Sequence, residues 1–299
     1  MTAVRATATL AASDFEELRR VRAESPDSVA RALAERPRRA LLPDDGRLFI
    51  VAADHPARGA LAAGRDASAM ADRYRLLERI ATALDNPAVD GVLGTPDILD
   101  DLAVLGRLDN KLAVGSMNRG GLRDSVFEMD DRFTAFDVEG ASGLDFAKML
   151  VRVNLEDAAT AATLESAAHA VSASARARLP IMIEPFLSRW QDGRITNQLD
   201  TESVILAIAI AAGLGNTSAY SWLKLPVVDD MERVMAATTL PTLLLGGDPD
   251  CSPDETYASW QRALGLPGIR GLVVGRTLLY PPDGDVEAAV RVAAELVHG

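Results

Sequence analysis

Lys148, Lys224, Glu184 and Asp54 have side chains suited to carbonyl chemistry. Lys224 lies near the end of an apolar run, Tyr220-Ser221-Trp222-Leu223-Lys224-Leu225-Pro226-Val227. Lysine is almost never fully buried unless it is paired or used. An amine withdrawn from water favours its neutral form, which attacks carbonyls. The bland alternative is a lysine whose stem is buried while its ammonium reaches water. Two lysines and two carboxylates at one place suit Schiff-base chemistry. Lys224 would attack a ketone or aldehyde, and Lys148 would act as the second cation that opposes joint protonation. Glu184 could shuttle the proton for carbinolamine dehydration and for the hydroxyl whose deprotonation breaks a C–C bond. Asp54 could orient substrate hydroxyls or share that proton work. Taken singly, the residues have ordinary uses: Asp54 could cap a turn, and Lys148 and Glu184 could form a structural ion pair.

The elements that would bring these residues together alternate along the chain. Apolar strands are expected at 48–53, 89–93, 112–115, 147–153, 180–184, 220–227, 241–245 and 271–274. Helical spacing or composition follows each of them except the third, for instance Met70, Tyr74, Leu77, Ile80, Ala81 and Leu84 on one face. After the third strand comes a longer polar connection, 117–143. Continuous apolar strands separated by helices indicate a parallel sheet covered on both faces. Eight such units point to a (β/α)8 TIM barrel occupying residues 47–299. An open doubly wound sheet is the alternative. It would usually carry a glycine-rich fingerprint after its first strand, where this chain has Asp54-His55-Pro56. Residues 1–46 read as an N-terminal helical extension, with a helix starting at Ser25-Pro26-Asp27.

In a barrel, chemistry sits where strands end and the following loops begin. Asp54 and His55 fall there on the first strand, Lys148 and Arg152 on the fourth, Glu184 on the fifth and Lys224 on the sixth. The seventh strand ends in Gly246-Gly247 and the eighth in Gly275-Arg276. These glycines could admit backbone N–H groups to a phosphate, with Arg276 adding charge. They could equally be turn punctuation. Arg189, Trp190 and Arg194 lie in the loop expected after the fifth strand. Substrate contact and simple loop packing are equally compatible with that position.

Composition narrows the partners. The net charge of −12 argues against sequence-independent nucleic-acid binding, and it means that an anionic substrate needs a local cluster of positive groups. The longest apolar run, 204–214, is too short to span a membrane. Met1 to Ser13 lacks the apolar core of a signal peptide. A single Cys251 excludes a disulfide within the chain and fits the reducing cytoplasm. Three histidines, without HxH, HExxH or CxxC spacing, argue against a His- or Cys-based metal site, and no cofactor is implied. His169 reads as helix surface, His298 as a frayed terminus and Asp130-Asp131 as a solvated turn. A homo-oligomer formed through the outer helices stays open.

The ordered set Asp54, Lys148, Glu184 and Lys224, with Lys224-Leu225-Pro226-Val227 and Val274-Gly275-Arg276-Thr277, resembles the class I aldolases. The group in question comprises the deoxyribose-phosphate, tagatose-bisphosphate and archaeal-type fructose-bisphosphate aldolases. The resemblance covers roughly residues 47–280. It implies a carbon–carbon lyase of carbohydrate metabolism that cleaves a phosphorylated keto-sugar or sugar acid through a Lys224 Schiff base. Similarity to inositol-breakdown sequences points to 2-deoxy-5-keto-gluconate 6-phosphate. Two other uses of the same barrel remain open. One is a lyase or hydrolase with Asp54, Glu184 and His55 holding Mg2+ or Mn2+. The other is a non-catalytic barrel that binds a sugar phosphate.

Overall fold

Strand β1 (Leu48–Ala52) is buried at every position, and so are β2 (Gly91–Gly94), β3 (Leu112–Ser116) and β4 (Phe146–Val153). Burial on both faces is what an apolar run without polar alternation requires. These coordinates come from a computed structural model that describes residues 10–118, 121–246 and 252–299. The remaining strands are β5 (Ile181–Gln191), β6 (Arg194–Asn197), β7 (Ser221–Leu225), β8 (Thr242–Leu245) and β9 (Ile269–Val274). All except β6 pair in parallel, in the cyclic order β1-β2-β3-β4-β5-β7-β8-β9. Pairing of β9 with β1 and of β4 with β5 closes the ring. The fold is a (β/α)8 TIM barrel with a helical N-terminal region, as the alternation predicts.

Successive strand residues point to opposite sides. One set, which includes Ile50, Val114, Phe146, Met182, Trp222 and Leu243, meets inside the barrel. Phe146 and Trp222 pack there edge to face at 5.4 Å. The other set, which includes Val51, Met149, Ile183 and Leu223, packs outward against the helices. Those helices are α3 (Arg73–Asp85), α4 (Pro96–Val104), α5 (Thr160–Ala177), α6 (Thr201–Ala212), α7 (Met231–Ala236), α8 (Pro253–Leu264), α9 (Arg276–Leu279) and α10 (Val286–His298). Side-chain caps start several of them: Asp72 for α3, Asp200 for α6, Asp230 for α7, Ser252 for α8 and Asp285 for α10. Among the described residues no helix is long and apolar enough to cross a membrane.

Three local expectations change. The fifth strand does not stop at Glu184. It runs on to Gln191 and turns back into antiparallel β6. Asp192 and Gly193, at φ 52° and 75°, form the turn. A two-residue Asp-Gly loop with both φ positive matches the twist of a hairpin. The N-terminal region holds two helices, α1 (Ala12–Glu24) and α2 (Asp27–Glu35). Ser25 closes α1 through its N–H to Val21 O, and Pro26 caps α2 without a side-chain bond.

That region is fastened to the bottom of the barrel. Asp90 precedes β2 and accepts the Phe49 N–H at 2.7 Å, while Arg39 pairs with it at 2.5 Å. Asp145 precedes β4 and accepts the Ala113 N–H at 2.9 Å, while Arg36 and Arg38 pair with it at 2.7 and 2.6 Å. Each aspartate satisfies a backbone donor of one strand and anchors an arginine of the extension. His298 joins the first of these anchors. Its ring lies 2.5 Å from Asp45 and 3.3 Å from Asp90, so this terminus is held rather than frayed.

The bond to Asp90 and then that to Asp45 raise the His298 imidazole above its ordinary 6.5, against the effect of burial. A group whose pKa is raised by folding adds stability that is complete below the unfolded value and fades as pH climbs through the folded one. Thermal midpoints of wild type and His298→Gln, measured against pH, should differ most below pH 6.5 and converge above the folded pKa. A difference independent of pH would contradict this linkage.

Candidate active site

The period of two that builds the barrel interior also builds the site. Residues that continue the inward set toward the C-terminal mouth are Asp54 after Ala52, Ser116 after Val114, Lys148 after Phe146, Glu184 after Met182 and Lys224 after Trp222. The apolar layers therefore end in a polar one, two residues further along each of five strands. Lys148 and Asp54 are fully buried, and Lys224 and Glu184 are nearly so.

Glu184 stands at the centre. Lys224 Nζ donates to its Oε1 at 2.7 Å, and Lys148 Nζ contacts its Oε2. Lys148 also lies 3.7 Å from Asp54 Oδ2, and Ser116 Oγ donates to that same oxygen at 3.0 Å. His55 stands 3.7 Å from the other Asp54 oxygen. The layer thus alternates in charge: Lys224, Glu184, Lys148, Asp54. Lys148 places its amine between the two carboxylates. Among the described residues no three His, Cys, Asp or Glu side chains are grouped to hold a metal.

Above this floor opens a cavity of about 530 Å³. Its wall includes Glu184, His55, Arg152, Gly246, Gly275 and Arg276, which brings the expected binding residues to one mouth. Gly247 lies outside the described residues, as does Cys251. A Cβ on Gly275 would collide with the Ala52 carbonyl oxygen, and one on Gly246 would stand 2.6 Å from Val274. Close strand packing alone accounts for both glycines. Helix α8 adds Thr256, Ser259 and Trp260 to the wall. Trp190 turns aside and donates to Asp157 at 3.3 Å.

Arg152 reaches the cavity with its guanidinium already engaged. Asp131 Oδ1 takes its NH2 at 2.7 Å, Asp131 Oδ2 takes the Arg152 backbone N–H at 2.7 Å, and Glu128 contributes its carbonyl. Asp131 is therefore a buried partner and not part of a solvated turn. Burial pushes its carboxyl upward, and Arg152 opposes that shift. Asn118 completes the connection, donating to the Leu150 and Asp131 carbonyls and accepting the Leu150 N–H. Asp131, Asn118 and Ser116 carried no recognisable motif. Ser116 and Asn118 lie at or just beyond the end of β3, whereas Asp131 lies well inside the 117–143 connection.

The fold and floor define a (β/α)8 barrel with a lysine–carboxylate centre at its C-terminal mouth. The chain belongs to the Cgl0159-like family, whose profile matches residues 46–294. It is 63% identical to Cgl0159 from Corynebacterium glutamicum, over 97% of this chain and 98% of that one, and the two structures superpose with a TM-score of 0.94. An archaeal fructose 1,6-bisphosphate aldolase superposes at 0.63 with 19% identity, covering 90% of this chain and 98% of its own. An archaeal fructose-1,6-bisphosphate aldolase with its catalytic lysine bound to the carbinolamine intermediate superposes at 0.64, again at 19% identity, covering 91% and 100%. At such identity these two likenesses speak to the fold. No functionally curated protein sequence matches the chain.

Asp131→Asn leaves the buried Arg152 charge facing only the Glu128 carboxylate at 3.7 Å and should destabilise the protein by ~3–5 kcal/mol in denaturant unfolding. A loss below ~1 kcal/mol would mean that the pair does not hold the 117–143 connection.

Proposed function

We propose that the protein is a class I aldolase that cleaves a phosphorylated keto-sugar or sugar acid by a retro-aldol reaction. The observation that carries this reading is the Lys224–Glu184 contact of 2.7 Å at the base of the mouth cavity, with Lys148 on the other carboxylate oxygen. Fold relatives that include a Schiff-base aldolase support it.

Lys224 Nζ, after giving up a proton, adds to the substrate ketone and forms a carbinolamine. Glu184 is placed to take the ammonium proton and to return it to the carbinolamine oxygen, which leaves as water. The resulting iminium draws electrons from the adjacent C–C bond. That bond breaks as the hydroxyl on the departing carbon loses its proton to Asp54 or Glu184. The aldehyde leaves, the enamine takes a proton on carbon, and water releases the ketone product from Lys224. Lys148 keeps a positive charge between the two carboxylates throughout. Gly246, Gly275 and Arg276 form the wall offered to the phosphate. The sugar acid 2-deoxy-5-keto-gluconate 6-phosphate fits this class.

Borohydride reduction in the presence of dihydroxyacetone phosphate, pyruvate or malonic semialdehyde tests the reading. Intact mass should increase by the reduced imine, and the increase should map to Lys224 and vanish in Lys224→Ala. Glu184→Gln should slow adduct formation by ~10²-fold or more. Folded protein that gains no mass with any of these carbonyls defeats the proposal.

A further inference from the structure

The mouth cavity continues into a second one of about 250 Å³, and Arg58, Arg152 and Asn197 line both. The second adds Arg123 and Arg194, with Asp124 and Glu128. Four arginines therefore gather at one edge of the mouth in a chain whose net charge is −12. They come from different elements: Arg58 from the turn after β1, Arg123 from the β3–β4 connection, Arg152 from β4 and Arg194 from β6. In the barrel ring β9 and β4 are diametrically opposed. Arg152 on β4, with Arg123 and Arg194 on the segments flanking it, thus faces the Gly275-Arg276 turn across the mouth, with Glu184 in the floor between. Arg58 reaches the group from the turn after β1, beside β9.

Two of the arginines are weakly held. Arg194 and Arg123 reach Asp124 at 3.7 and 3.8 Å, beyond hydrogen-bond length, and their side chains are 75% and 44% exposed. Neither guanidinium donates a hydrogen bond to any described residue. Exposed ion pairs of this kind contribute almost nothing to stability, so fastening the loop does not account for them. Guanidinium forks are suited to carboxylate and phosphate oxygens. Asp124 sits between both forks at φ 63°, where an incoming anion could replace it.

We propose that Arg58, Arg123 and Arg194 form a second anion subsite, which receives a carboxylate or phosphate at the end of the substrate remote from Gly275-Arg276. Arg152, held by Asp131, backs the subsite. The substrate is then a doubly charged chain, with its ketone over Lys224. This rests on the aldolase reading for the placement of the ketone, while the charge recognition itself is separable from the chemistry.

Calorimetric titration with three unreactive probes tests it: glucitol 6-phosphate with one anion, 6-phosphogluconate with a phosphate and a carboxylate, and glucitol 1,6-bisphosphate with two phosphates. Both doubly charged probes should bind wild type at least about tenfold more tightly than glucitol 6-phosphate. The tighter of the two identifies the second anion as carboxylate or phosphate. The double variant Arg123→Gln/Arg194→Gln should lose that preference while keeping its affinity for glucitol 6-phosphate. Asp124→Asn should increase the preference by releasing the forks. Equal affinities in wild type, a preference that survives the double variant, or no binding of any probe overturns the subsite. Borohydride trapping with dihydroxyacetone phosphate, which has one anionic group, reports on Lys224 independently. Preference without trapping would leave the subsite and remove the aldolase; trapping without preference would do the reverse.

Discussion

One carboxylate shared by two buried lysines is the constraint on which the rest of the site depends. Glu184 meets Lys224 through one oxygen and Lys148 through the other. Taking such charges out of water costs several kcal/mol per ion, and mutual attraction offsets that cost only when geometry and hydrogen bonding are good. Such a layer is weak as a source of stability. Its position follows from the apolar layers below it, where Phe146, Met182 and Trp222 pack and fix the strand directions. The same strands, two residues later, have no choice about where Lys148, Glu184 and Lys224 point. The hydrophobic interior thus serves as the jig for the charged layer.

Burial alone does not make a lysine chemical, and Lys111 shows why. Burial lowers its pKa to about 8, yet its ammonium donates to the carbonyls of Asn86 and Val89. It stands just before β3, at the end of the barrel away from the cavity. Lys224 stands toward the far end of its strand, beside the Glu184 carboxylate that lines the mouth cavity. Position along the strand separates the two, consistent with the division of labour in this fold: stability at the N-terminal face and chemistry at the C-terminal face.

That division explains what was legible in the sequence. Eight apolar runs separated by helical spacing gave the barrel, because burial on both faces leaves an unbroken hydrophobic signature. Asp54, Lys148, Glu184 and Lys224 were legible for the complementary reason: charges at the ends of such runs are conspicuous. Asp131 was not, because its burial depends on an arginine 21 residues away in another element. His298 was misjudged for the same reason, since Asp45 and Asp90 are distant in sequence. The β5–β6 hairpin was missed despite its Asp192-Gly193 signal. The apolar run stops near Glu184, where the barrel's need for it ends, so nothing in the hydrophobic pattern carries the strand on into the hairpin.

The two ends of the barrel use arginine in opposite ways. At the bottom, Arg36 and Arg38 close on Asp145 and Arg39 on Asp90, at 2.5–2.7 Å, and each aspartate also takes a strand N–H. Those donors are committed, so replacing either acid would strand both a cation and a backbone group. At the mouth, Arg123 and Arg194 stand off from a single shared carboxylate at 3.7–3.8 Å on an irregular connection and a hairpin. At the bottom each of these arginines makes a direct, short ion pair; at the mouth Arg123 and Arg194 make none. The looser pairing at the mouth therefore reads as capacity held for a ligand, on loops that can adjust to an anion without disturbing the strands beneath.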